Sequence, residues 1–259
     1  MKILVSNDDG IHAAGILALV RALAVKHEVY VCAPDGERSA ASHSLTLFSP
    51  LFARKTQVDG ALLAYAVSGT PVDSVKLGIS EFGLPDAVFA GVNNGLNAGE
   101  DILYSGTVSA ACEGALIGLP SVAVSAAPGD EEACEAACAY AVELADYIER
   151  QATRTAVVYN LNVPTLLPGV QRRCQAARVG LRGMVVKYDK RTDLRGRDYY
   201  WAPCGEGAIS GALPGTDLYW MAEGHATVTP LRFDFTDEPL LEKLSEALKR
   251  NAGEIGSGR

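Results

Sequence analysis

The sequence predicts an α/β protein: a mostly parallel sheet with helices on both faces, followed by β-hairpins and a terminal amphipathic helix. Two observations carry this. Short apolar runs, the kind that form strands buried on both faces, alternate with helix-periodic segments through residues 1–168. After Pro168 that rhythm gives way to aromatic-bearing, turn-rich stretches.

The elements follow in chain order. Ile3-Leu4-Val5 is a buried strand, and Gly15 to Lys26 carries Ile16, Leu19, Val20 and Leu23 at helical spacing. Val29 to Cys32 is a second strand, closed by Ala33-Pro34, and Leu62 to Val67 a third. Pro71 opens a helix at the first helical position, where a missing N–H costs nothing. Ala87 to Ala90 is a strand leading into a Gly/Asn-rich loop. Thr107 to Ile117 is helical, Val122 to Val124 is a strand, and Glu131 to Arg150 is an Ala-rich helix with Tyr140, Leu144 and Ile148 on one stripe. Val157 to Tyr159 completes the βαβ series, which implies parallel pairing. Residues 169–235 read as a hairpin-rich extension, with strand-like runs at Val185-Val186, Tyr199 to Trp201 and Tyr219-Trp220 and a hairpin tip over Asp189 to Asp198. In residues 236–259, Leu240, Leu241, Leu244 and Leu248 mark a helix capped by Thr236 or Asp237, and Asn251 to Arg259 forms a polar tail. No linker or repeat divides the chain, so 1–259 is expected to be a single domain.

Composition narrows the function. The 259 residues are 48% hydrophobic and carry 31 Asp plus Glu against 23 Lys plus Arg, a formal charge of −8. Such a chain does not grip a nucleic acid polymer through a general field, and phosphate must be bound locally. No N-terminal apolar stretch has the length or flanks of a signal peptide or membrane helix, because Arg21 breaks the best candidate, so no membrane association and a cytoplasmic location are expected. The six Cys include no Cys-x-x-Cys pair, and most sit among Ala, Val and Leu and read as small core residues in a reducing compartment.

The chemistry concentrates at strand ends. Asn7-Asp8-Asp9-Gly10 places two adjacent carboxylates just beyond the first strand, where ligands of open α/β sheets bind. Side by side they repel unless a cation sits between them, although an Asp-Gly surface turn has the same sequence. Ser39, in the loop after Pro34, and Asn93, after the fourth strand, add oxygens. With Asp8 and Asp9 they form an all-oxygen set suited to Mg²⁺, Mn²⁺ or Ca²⁺ and not to zinc. Ser105-Gly106-Thr107 opens a helix, so hydroxyls and free N–H groups there suit a phosphate, or Thr107 simply caps the helix. Gly91, Gly95 and Gly99 do not form a dinucleotide fingerprint, and no Gly-Lys-Ser/Thr loop occurs. The four histidines, His12, His27, His43 and His225, form no metal motif.

Taken together, several segments resemble the SurE family of nucleotidases. They are Val5-Ser6-Asn7-Asp8-Asp9-Gly10, Ala33-Pro34-Asp35, Arg38-Ser39 with Ser44-Leu45-Thr46, Gly69-Thr70-Pro71-Val72-Asp73, Gly91 to Gly99 and Tyr104-Ser105-Gly106-Thr107-Val108. The resemblance thins after Ser125, where Arg195-Gly196, Tyr200-Trp201, Gly215-Thr216-Asp217 and Thr229-Pro230-Leu231 still fit. It implies a Rossmann-like core and hydrolysis of nucleoside 5′- and 3′-monophosphates, sometimes of short polyphosphate. One divalent ion per subunit would sit on Asp8, Asp9, Ser39 and Asn93, and substrate phosphate on Asn97, Ser105, Gly106 and Thr107. It also implies a homodimer or homotetramer with C-terminal exchange. His225, where Tyr is common, and the bulky Tyr219-Trp220 depart from the pattern. Asp8 and Asp9 are the catalytic candidates: Asp8 orients or deprotonates the attacking water. An aspartyl-phosphate is the mechanistic rival, weakened by the absence of an Asp-x-Asp pair. A metal-dependent nucleotide-sugar glycosyltransferase and a non-catalytic nucleotide-binding regulator use similar residues. The first needs a second nucleotide-binding domain, and the second suits a site with altered ligands.

Exposed Trp201, Trp220 and Leu244 would make a sticky surface on an isolated subunit. Deleting residues 236–259 is expected to shift the protein towards monomer or aggregate and to lower its stability. Sedimentation of the full chain as a compact monomer at micromolar concentration would exclude this role for the segment.

Overall fold

The structure, a computed structural model, describes residues 1–151, 155–165, 167, 173–181, 188–201 and 212–255, with side chains through Lys249. The first half is built on β1 (Lys2–Ser6), α1 (Ala14–Ala24), β2 (Glu28–Pro34), β3 (Ala53–Thr56), β4 (Leu63–Val67), α2 (Pro71–Phe82) and β5 (Ala87–Asn94). A 3-10 turn over Gly99–Leu103 leads into α3 (Gly106–Leu116), β6 (Ser121–Ala126), α4 (Glu131–Glu149) and β7 (Val158–Val163). Then come β8 (Cys174–Ala176), β9 (Asp189–Thr192), β10 (Asp198–Trp201), α5 (Asp217–Ala222), β11 (Ala226–Leu231) and α6 (Glu238–Ile255).

Nine strands form one sheet in the order β3-β4-β2-β1-β5-β6-β7-β11-β8. The six from β4 to β7 run parallel, as the βαβ rhythm predicts. From β1 the chain steps outwards through β2 and β4 on one side, then returns to build β5, β6 and β7 on the other. The order therefore reverses between β1 and β5, and a crevice opens at that switch point.

Alternation along each strand feeds two apolar layers. Ile3, Val5, Val31 and Phe89 pack with Ile16, Leu19 and Leu23 of α1 and the inner face of α4. Leu4, Cys32, Val88 and Ala123 pack on the other side with Val75 of α2 and Val108, Ala111 and Ala115 of α3. The inner stripe of α4 differs from the expected one. Its buried residues are Ala133, Ala137, Cys138, Ala141, Ala145 and Ile148, while Tyr140 and Leu144 lie half-buried at its edges. Small side chains face the sheet because the helix lies close to it. Helix α2 starts as its sequence suggests, with Pro71 in the first turn. Thr70 and Asp73 also exchange side-chain-to-backbone hydrogen bonds of 3.1 and 2.9 Å, a reciprocal cap.

The chain departs from expectation in three places. Tyr219 and Trp220 lie in α5, not on a strand: Thr216 caps that helix, accepting from the Tyr219 N–H at 3.3 Å. Strands β11 and β8 extend the main sheet, β11 antiparallel to β7, and among the described residues β9 and β10 form a separate hairpin. Edge strand β3, antiparallel to β4, is charged and exposed, and carries no hydrophobic signal. Asp237 caps α6, which continues through Ile255 into the expected tail. Val185, Val186, Cys204 and Pro168 lie outside the described residues.

Two glycines set the geometry around β5. Its pairing with β6 slips between Ala90 and Asn93, a bulge that re-aims the strand end. Gly91 has φ +133°, and a Cβ there would lie 2.2 Å from the Val124 carbonyl oxygen. Gly15, in the first turn of α1, packs against the bulge so closely that a Cβ would meet the Val92 carbonyl oxygen at 2.0 Å. Gly15→Ala must push α1 off β5, and a destabilisation of about 1–3 kcal/mol is expected from such overpacking. Urea unfolding of the variant, with an unchanged midpoint as the contrary outcome, checks it.

Candidate active site

A cleft of about 400 Å³ opens at the switch point, with Asp8, Asp9, Ser39, Asn93, Asn97 and Ser105 in its lining. Asp8 and Asp9 follow β1 directly, in a turn held by the Asn7 side-chain amide, which donates to the Gly10 carbonyl at 2.8 Å. Gly10 has φ +99°, and its Cα faces Gly36 so tightly that a Cβ would sit 3.1 Å from that backbone. The turn after β1 thus nests against the loop after β2. That loop is tied down in turn: the Arg38 N–H donates to the Asp8 carbonyl at 2.7 Å, and the Arg38 guanidinium reaches the carbonyls of Ser68 and Gly69. Ala40 and Ser42 both adopt positive φ, 54° and 51°, in a conformation costly for residues other than glycine. Ser42 is fixed there by its N–H to the Tyr104 carbonyl and its hydroxyl to the Leu103 carbonyl. This bend brings Ser39 to the cleft, where its hydroxyl donates to Glu37 at 2.6 Å.

The carboxylates are placed by donors from other elements. The Thr107 hydroxyl, in the first turn of α3, donates to Asp8 Oδ1. The Asn94 N–H donates to Asp9 Oδ2 at 3.2 Å. Gly106 lets α3 approach, since a Cβ there would lie 2.9 Å from both Cβ and Oδ2 of Asp8. Burial pushes the Asp8 carboxyl above its ordinary value; the Thr107 hydroxyl opposes this, and neighbouring Asp9 adds to it. Asp9 is also raised, by burial first, against the Asn94 N–H and with Glu37 adding repulsion. Two adjacent carboxylates, both raised first by burial and Asp8 further by Asp9, beside a hydroxyl and an amide at a polar cleft, are an oxygen donor set that a hard divalent cation fits.

Asn97 is held as firmly as the carboxylates. Its N–H donates to Asn162 Oδ1 at 2.7 Å, its carbonyl accepts from Asn160 and Asn162 at 2.8 and 3.1 Å, and its side-chain amide reaches Ser125 at 2.9 Å. The following turn is fastened by Asp217, which is fully buried and accepts from the N–H groups of Gly99, Gly180 and Leu218 at 3.0, 2.7 and 2.8 Å.

The family profile described as Survival protein SurE matches residues 3–185. The chain belongs to the SurE family. A protein named 5′-nucleotidase SurE from Pelotomaculum thermopropionicum is 42% identical over 253 residues, 96% of each chain. Another of that name from Legionella pneumophila subsp. pneumophila is 43% identical over 250 residues, 96% of this chain and 97% of the other. A crystal structure of a SurE protein from Aquifex aeolicus superposes with a TM-score of 0.81 at 35% identity, covering 95% of this chain and 99% of that one. Names and coverage of this kind favour neither the glycosyltransferase nor the regulator.

In this SurE chain the residues expected around the metal all reach the cleft lining, as do Asn97 and Ser105, while Gly106 and Thr107 stand directly behind Asp8. Ser105, not Thr107, caps α3, accepting from the Val108 N–H at 3.0 Å. The Thr107 hydroxyl is engaged with Asp8. His12 is exposed and absent from the lining; His43 instead pairs with Glu113 at 2.6 Å, on the flank of α3. His225 lies beside the Trp220 ring, 5.7 Å between centroids. His27, Asp146 and Glu149 converge at the opposite end of the sheet, where the Met1 amino group and Lys26 already neutralise them. Among the described residues, Asn160 and Asn162 are site-shaping groups that sequence reasoning missed, and Asp217, quoted only within a matching segment, had no role assigned. Two asparagines flanking Leu161 in an otherwise apolar strand were the available signal.

Thr107→Val removes the donor to Asp8 while nearly preserving volume. A hydrogen bond to a charged group contributes about 1.5–3 kcal/mol. Both divalent-ion affinity and kcat/KM are therefore expected to fall by roughly tenfold to a hundredfold, with Thr107→Ser restoring them. Unaltered values in Thr107→Val would mean that the hydroxyl only fills space.

Proposed function

We propose that this chain hydrolyses nucleoside 5′- and 3′-monophosphates, and short polyphosphate with them, using one Mg²⁺ or Mn²⁺ per subunit held by Asp8, Asp9, Ser39 and Asn93. The observation that carries the proposal is the paired carboxylates of the switch-point cleft, in a chain whose full-length relatives bear the name 5′-nucleotidase. When bound, the ion supplies Lewis acidity, neutralising phosphate charge and acidifying a water molecule. The protein's own groups do the rest. Ser105, the free N–H groups at the start of α3 and the Asn97 side chain hold phosphate oxygens as charge redistributes. Asp8, its carboxyl raised by burial, orients the attacking water and takes its proton. Asn97 is held by uncharged partners, Asn160 and Asn162, so its hydrogen bonds do not depend on the charge of the carboxylates.

The proposed assembly is a homodimer or homotetramer joined by the C-terminal segment. It is supported by the exposure of Tyr200 and Trp201 on the hairpin and of Leu240, Leu244 and Leu248 on α6, each more than half exposed on the single chain. A cytoplasmic location is supported by the five free thiols among the described residues. No described helix is long and apolar enough to cross a membrane.

Release of inorganic phosphate from AMP is expected with Mg²⁺ or Mn²⁺ and not in EDTA. Asp9→Asn keeps the shape and removes one charge, so a loss of at least about 100-fold in rate is expected, the scale of electrostatic catalysis. Full activity of metal-stripped protein in EDTA overturns the proposal.

A further inference from the structure

Beside the catalytic cleft lies a second pocket of about 360 Å³, between the N-terminal ends of α1 and α4. The two share Asp9, Asn93 and Asn94 as a common wall. Their characters differ. The cleft is lined by carboxylates, amides and hydroxyls, whereas the second pocket is walled by Ala13, Ala14, Val92, Ala126, Ala127 and Cys134. Among the described residues no Lys, Arg or His lines it, and Asp130 and Glu131 stand at its edge, so it does not suit a second phosphate. Its volume falls within the range of small-molecule sites, and an apolar wall with a few polar groups at the rim suits a flat, uncharged ring.

The shared wall is tied to both sides. The Asn94 N–H holds Asp9 at 3.2 Å, and the Asn94 side-chain oxygen accepts from the Gly129 N–H at 2.8 Å, bridging the cleft to the α4 end of the pocket. A phosphate held between Asp9 and the start of α3 therefore has one apolar recess next to it, across Asn93 and Asn94. We infer that this pocket seats the base of the nucleoside monophosphate whose phosphate lies in the cleft. The inference rests on the nucleotidase reading and deepens it: the substrates are phosphomonoesters that carry a base, and the pocket is where they are told from those that do not. Cys134 is the natural reporter. It is half-buried in the pocket wall, and the Cys138 thiol one turn on donates to its sulfur and holds its pKa below the ordinary thiol value, which favours alkylation.

The test compares AMP with ribose 5-phosphate, which has the same ester and no base. In the unmodified protein, kcat/KM for AMP is expected to exceed that for ribose 5-phosphate. Cys134→Phe fills the pocket and is expected to reduce that ratio at least about tenfold, mainly through KM for AMP, the scale on which apolar pockets discriminate. Independently of any variant, adenosine is expected to slow alkylation of Cys134 by iodoacetamide, followed by mass spectrometry of the peptide carrying it. Equal kcat/KM for the two esters, or alkylation indifferent to adenosine, overturns the seat while leaving the nucleotidase reading intact. So does a Tyr104→Ala variant that alone abolishes the preference, since that would place the base across the cleft. Failure to release phosphate from either ester with Mg²⁺ or Mn²⁺ would instead strike the nucleotidase reading itself.

Discussion

Two carboxylates must be kept ionised, adjacent and half out of water at the end of a buried strand. Unit charges about 4 Å apart at an effective dielectric of about 20 repel by about 4 kcal/mol, so such a pair does not arrange itself. Much of the structure around the cleft answers that constraint. The Thr107 hydroxyl from α3 and the Asn94 N–H from β5 each hold one member of the pair. The Arg38 N–H fixes the backbone between them, and glycines at 10 and 106 let the loop after β2 and the helix α3 come close enough. Remove any of these approaches and the carboxylates gain freedom to swing apart, which relieves their repulsion and dissolves the site.

The same logic explains why β5 is bulged where it is. A regular strand would carry Asn93 past the cleft. The slip between Ala90 and Asn93, made possible by Gly91 and braced by Gly15 of α1, turns the strand end inward. The sheet's switch point thus supplies the location, and local glycine geometry supplies the aim.

Much of this was legible in the chain itself. Parallel strands buried on both faces announce themselves as Ile3-Leu4-Val5 or Val122-Ala123-Val124, and an Asp pair on a Gly turn at a strand end needs little context to be noticed. What escaped follows from the physics of each case. Strand β3 exists because β4 has an open edge to pair with; its own Ala-Arg-Lys-Thr carries no periodic signal. Tyr219-Trp220 have strand-forming side chains, yet the Thr216 cap and a buried Asp217 override that preference. Asn160, Asn162 and Asp217 reach Asn97 and Gly99 across 63 to 118 residues of sequence, which no window along the chain can display.

Asp217 also sets an order of events. Its carboxylate takes the Gly99 N–H, 118 residues upstream, in the turn that follows Asn97 and precedes Ser105. A chain emerging from the ribosome will have made β1 through β7, both carboxylates and the whole of α3 well before residue 217 appears. Until then the Gly99 N–H, in the turn after Asn97, and the Gly180 N–H lack this acceptor. A nascent chain thus possesses the site's chemistry before it possesses its shape, and the last quarter of the polypeptide acts as the latch that completes it.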